Sequence, residues 1–118
     1  MSRRTEKIGE QLRAEIARIL LEDATDPRIP FITLTRVDVA PDLSNAIVFW
    51  SAIDVQDADS AQETEQVLNS AASFVRRQLS RVLALRRVPA IHFRFDPSLA
   101  LGADTLSLLR SIADDEKT

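Results

Sequence analysis

The sequence predicts an α+β domain with helices covering one face of a three-stranded sheet. Three observations carry this. Apolar residues near the N-terminus recur at helical spacing. Two runs rich in β-branched residues then flank a short polar turn, and two helical stretches lead into a last alternating run. The resulting order is helix, strand, strand, helix, helix, strand, which suits one small layered domain.

Thr5–Leu21 reads as the first helix, because Ile8, Leu12, Ile16, Ile19 and Leu20 form one apolar stripe. Its other face mixes Arg4, Lys7, Arg13 and Arg18 with Glu6, Glu10 and Glu15. Pro27, in Asp26-Pro27-Arg28, disfavours helical backbone at Asp26 and closes the element, and Pro30 delays the next. Phe31–Val39 is the first strand. Its apolar phase slips between Leu34 and Val37, which indicates either a bulge or cover on both faces. Ala40-Pro41-Asp42-Leu43-Ser44-Asn45 is a turn, so the second strand, Ala46–Ile53, pairs antiparallel with the first.

An acidic linker follows from Asp54. Ser60 with Glu63 fits a capping box that opens a helix over Ser60–Ser70. The small, polar run Asn69-Ser70-Ala71-Ala72-Ser73 marks a break, with Ser73 expected at it. Helical period resumes over Ala72–Ala84 through Val75, Leu79, Val82 and Leu83. Pro89 stops the helix, and Ala90–Phe95 alternates like a half-buried strand. Beyond Gly102, Leu106, Leu108, Leu109 and Ile112 suggest a short terminal helix. The expected domain is residues 1–113, with 114–118 as a frayed tail. Its expected core is Ile8, Leu12, Ile16, Leu20, Val48, Leu68, Val75, Leu79, Leu83 and Phe93.

Composition narrows the function. The 118 residues include no Cys, no Tyr, one His and two Gly, so thiolate metal sites, thiol nucleophiles and a Gly-rich phosphate loop are excluded. No nucleophile–base pair is found, and no enzyme, metal or cofactor is expected. The N-terminus lacks a signal-peptide pattern and no apolar run is long enough to span a membrane, so the cytoplasm is expected. Asp26, Asp42 and Asp96 sit where turns and caps employ carboxylates.

Net charge is −3, yet its distribution is polarised. No basic residue lies between Arg36 and Arg76, where Asp38, Asp42, Asp54, Asp57, Asp59, Glu63 and Glu65 occur. From Arg76 to Arg94 the signs invert: Arg76, Arg77, Arg81, Arg86, Arg87 and Arg94 occur without an acid among them. On a helical wheel Arg76, Arg77 and Arg81 stand away from the apolar side, as phosphate contacts require. Arg86 and Arg87 suit either phosphate or the negative end of the helix dipole. Arg94 and His92 alternate outward on the last strand. A lone His with no second ligand reads as a surface or nucleic-acid contact, not a metal site.

Phe49 and Trp50 point to opposite faces of their strand. An open sheet face around Trp50 supports an alternative reading: a protein-interaction or dimerisation domain without RNA binding.

Four separated stretches resemble the ribosome-binding factor A family. They are Asp26-Pro27-Arg28, then Val37-Asp38-Val39-Ala40-Pro41-Asp42-Leu43, then Ala71-Ala72-Ser73-Phe74-Val75-Arg76, and finally the run from Leu85 to Asp96. The resemblance spans about Arg4 to Ile112. It implies a type II KH-like fold in which a helix–kink–helix replaces the Gly-X-X-Gly loop. The family's Ala-X-Gly kink falls on Ala71-Ala72-Ser73, with Ser where the family has Gly. The resemblance further implies a non-enzymatic factor that binds the small ribosomal subunit and its RNA. Such factors act late in maturation of the 5′ end of that RNA and are linked to growth in the cold. On this reading the basic stripe faces RNA, the acidic stretch faces solvent or a basic ribosomal protein, and the chain is a monomer.

Overall fold

The computed structural model describes residues 3–23, 32–52, 55 and 57–97. The chain runs through α1 (Arg3–Arg18), a π-helical turn (Ile19–Asp23), β1 (Thr33–Val39), β2 (Asn45–Ser51), α2 (Ala58–Ser70), α3 (Ala72–Val82) and β3 (Ala90–Phe95). The expected terminal helix, the frayed tail, Gly102 and Asp26-Pro27-Arg28 lie outside the described residues.

The sheet order is β1-β2-β3, with β1 antiparallel to β2 and β3 parallel to it. The slip read in the first strand is a bulge. Leu34 pairs with Trp50 and Arg36 with Phe49, so Thr35 is the extra residue. It lets Leu34, Val37 and Val39 all face the helices, as Ala46, Val48 and Trp50 do on β2 and Ile91 and Phe93 on β3. The Thr35 hydroxyl donates to Asp96 Oδ2 at 2.6 Å, so Asp96 serves structure as its sequence context implied. Asp42 does likewise in the β1–β2 turn, where Leu43 takes φ 62°.

Helix α1 lies on β1 and buries Ile8, Leu12 and Ile16. Full burial of such side chains stabilises by about 1.5–3 kcal/mol each. The approach is close at Gly9, where a Cβ would stand 2.7 Å from the Val37 carbonyl oxygen. Helices α2 and α3 pack on β3. Side chains of α2, Asn69 and Glu65, also hydrogen-bond the outer edge of β3.

Three expectations need correction. Helix α2 begins at Ala58, two residues before Ser60, because Asp57 is the N-cap and accepts the Ser60 N–H at 2.7 Å. Helix α3 ends at Val82, where Leu83 turns extended (φ −105°, ψ 133°) and is only half-buried. Trp50 is fully buried and meets the Phe95 ring edge-on, with centroids 5.0 Å apart. The alternative reading built on an exposed Trp50 therefore loses its anchor. Phe49 is the aromatic on the open face, half-buried beneath the Arg36 guanidinium at 4.2 Å.

Candidate nucleic-acid interface

A single backbone break separates α2 from α3. It falls at Ala71 (φ −92°, ψ −1°), whose N–H still bonds back to the Leu68 carbonyl at 3.0 Å. Ser73, expected at the break, instead lies in the first turn of α3 and is exposed. No left-handed residue is needed at this kink, so a side chain at position 73 meets no backbone strain there.

The break turns α3 so that its polar face opens on the segment running from Leu83 to Pro89. Between them is an open cleft of about 570 Å³, lined by Ser73, Arg76, Arg77, Ser80, Leu85, Arg86, Arg87 and Val88. Four of the seven proposed contact residues thus meet in one place. Arg76 and Arg77 come from the helix wall and Arg86 and Arg87 from the facing segment. Leu85 and Val88 add an apolar patch between the charges.

The four arginines are not equivalent. Arg76 donates from both Nε and Nη2 to the Val88 carbonyl oxygen, at 3.1 and 3.0 Å. The Asp42 carboxyl is held below the usual carboxylate range first by hydrogen bonds from the Ser44 hydroxyl and backbone N–H, and in smallest part by the nearby charge of Arg87. Asp42 is thus a carboxylate near the cluster that sequence distance concealed. Arg77 and Arg86 make no ion pair or hydrogen bond through their side chains among the described residues.

The other three candidates are elsewhere. Arg81 is exposed in the last turn of α3, outside the cleft lining, where a cation also suits the helix dipole. His92 and Arg94 are exposed on the sheet face turned away from the helices, and His92 Nε2 lies 2.9 Å from Asn45 Oδ1. Sequence reasoning missed Ser80, Leu85 and Val88 as cleft residues, and placed Ser73 only at the kink. It also missed the Arg76–Val88 contact, for which a linear pattern offers no signal.

A family model described as ribosome-binding factor A matches residues 4–109. The chain belongs to the ribosome-binding factor A family. It is 40% identical over 113 residues to ribosome-binding factor A of Pseudomonas syringae pv. syringae (strain B728a), covering 95% of this chain and 82% of that protein. The fold is similar to the crystal structure of ribosome-binding factor A from Thermus thermophilus, with TM-score 0.63 and 24% identity over 76% of this chain and 93% of that one. It is also similar to a homology model of the Thermus thermophilus factor fitted into a cryo-EM map of a 30S–RbfA complex. There the TM-score is 0.62 at 22% identity, covering 79% of this chain and 96% of that one.

Proposed function

We propose that this chain binds the small ribosomal subunit and assists its late maturation, including processing at the 5′ end of its RNA, by holding that RNA in the arginine cleft. The observation that carries this reading is the meeting of Arg77, Arg86 and Arg87 with no carboxylate between them in the cleft lining. Guanidinium groups displace counterions condensed on RNA and match phosphate oxygens in a planar fork. Family membership supports the same partner, since the Thermus homologue was fitted into a map of a 30S complex. Arg81 extends the positive surface beyond the cleft. His92 and Arg94 lie on the opposite face and have no part in this contact. The reading assigns the chain no catalytic step, and it acts as a cytoplasmic monomer.

The test is co-sedimentation of the chain with immature small subunits through a sucrose gradient. The wild type should travel with small subunits and not with large ones. A folded Arg77→Gln/Arg86→Gln/Arg87→Gln variant should bind roughly tenfold or more weakly, with a shallower salt dependence. Equal binding by that variant would move the RNA surface elsewhere.

A further inference from the structure

Arg76 differs from its three neighbours in what its guanidinium does. Its Nε and Nη2 converge on one backbone oxygen, that of Val88, twelve positions along the chain. The segment it grips has neither helix nor strand, and its ends are fixed independently. Leu83 N–H closes α3 on the Leu79 carbonyl at 2.9 Å, and Ala90 N–H bonds the Ser44 carbonyl at 3.0 Å beside buried Pro89. Between those anchors, Arg86 and Arg87 are exposed on a short span that is tied back to the helix through the Arg76 side chain.

We propose that Arg76 is a positioning residue of the cleft, the clamp that holds Arg86 and Arg87 opposite Arg77, and that it is not itself a phosphate ligand. This inference rests on the reading that the cleft takes RNA. Without the clamp, the span must be ordered when RNA binds, and that entropy is subtracted from affinity. Lysine cannot replace the clamp. Its ammonium is a compact, strongly hydrated point charge without two N–H groups in a fixed fork. As a phosphate ligand, by contrast, a lysine keeps the charge that displaces condensed counterions and gives up only the fork.

The two roles separate in a charge-conserving substitution. Affinity for purified small subunits would be measured across a salt series for the full chain and its variants. Arg76→Lys should weaken binding roughly threefold to tenfold, as much as Arg76→Gln does, because the cost is that of re-ordering one or two side chains. Arg77→Lys should stay near wild type. In the Arg86→Gln/Arg87→Gln background, adding Arg76→Lys should cost nothing more, since nothing remains to be positioned. Amide hydrogen exchange at Leu85, Arg86 and Val88 should accelerate in Arg76→Lys while α3 exchange is unchanged. Wild-type binding by Arg76→Lys, or a loss that adds fully to that of Arg86→Gln/Arg87→Gln, would overturn the clamp. If Arg77→Gln/Arg86→Gln/Arg87→Gln binds like wild type, the RNA reading of the cleft fails first and the clamp loses its function with it.

Discussion

Asn69 satisfies both backbone groups of Phe93: its Nδ2 donates to the Phe93 carbonyl at 3.2 Å, and its Oδ1 accepts the Phe93 N–H at 2.8 Å. One helical turn earlier, Glu65 accepts the Phe95 N–H at 2.6 Å. The match is geometric. Four residues of helix rise about 6 Å, and two residues of strand rise about 6.6 Å. Alternate outward groups of the edge strand therefore meet successive turns of α2. The side chains of α2 stand in for a fourth strand and blunt an edge that would otherwise be open.

Asn69→Ala should therefore destabilise the domain by about 1–2 kcal/mol, the cost of stranding paired backbone groups that water reaches only in part. Thermal melts would measure it, and amide exchange at Phe93 should rise ahead of that at Phe49. An unchanged melting temperature would mean that water replaces Asn69 at no cost.

Gly9→Ala should also destabilise, against helix propensity. Alanine is favoured over glycine in a helix by about 1 kcal/mol. Here its Cβ would sit 2.7 Å from the Val37 carbonyl oxygen, and that is backbone, which cannot rotate aside. Overpacking costs about 1–3 kcal/mol, so the net sign is unfavourable. A raised melting temperature would show that α1 lifts from β1 freely.

Ser73→Gly should cost about 0.5–1 kcal/mol, because position 73 is helical and glycine there only adds unfolded-state freedom. A neutral or stabilising result in chemical denaturation would mean that position 73 is left-handed in solution.

Asp57 gives the fold an acid-side dependence. Its carboxyl is held below the ordinary 3.8, first by the Ser60 backbone N–H and then by the Ser60 hydroxyl. A depressed folded-state pKa contributes stability that is present above the unfolded value and is lost as pH falls through the folded one. Asp57→Asn keeps an acceptor at the cap but has no charge to lose. Its melting temperature should thus fall less steeply than that of the wild type as pH drops below about 4. Parallel profiles would remove Asp57 from the acid response.

The element order was legible because each period is strong: the stripe from Ile8 to Leu20, the alternation of Ile91, Phe93 and Phe95, and the phase slip at Thr35 all appear in the chain itself. Of the ten expected core residues only Leu83 is not buried, since α3 ends one residue before it. What stayed hidden depends on tertiary approach. Asn69 reads as part of a polar break and Glu65 as a solvated acid, and nothing local points either at a strand edge. Arg76 reads as one more cation of a stripe, because a bond to a carbonyl twelve residues away leaves no periodic trace. His92 and Arg94 share the charge block of the cleft arginines, yet strand alternation sends them to the far side of the sheet.

The extra residue in β1 carries a consequence for chain length. Removing Thr35 would leave Leu34 opposite Trp50, Arg36 opposite Phe49 and Val37 opposite Val48, now in unbroken alternation. Every apolar side chain would keep its face, and the losses would be the Thr35 hydrogen bonds to Asp96 and Phe49. One-residue gaps should therefore be tolerated at this point among relatives. The same gap at Asp38 would turn Val37 and Val39 to opposite faces. Evolutionary drift in length has a safe outlet at this bulge.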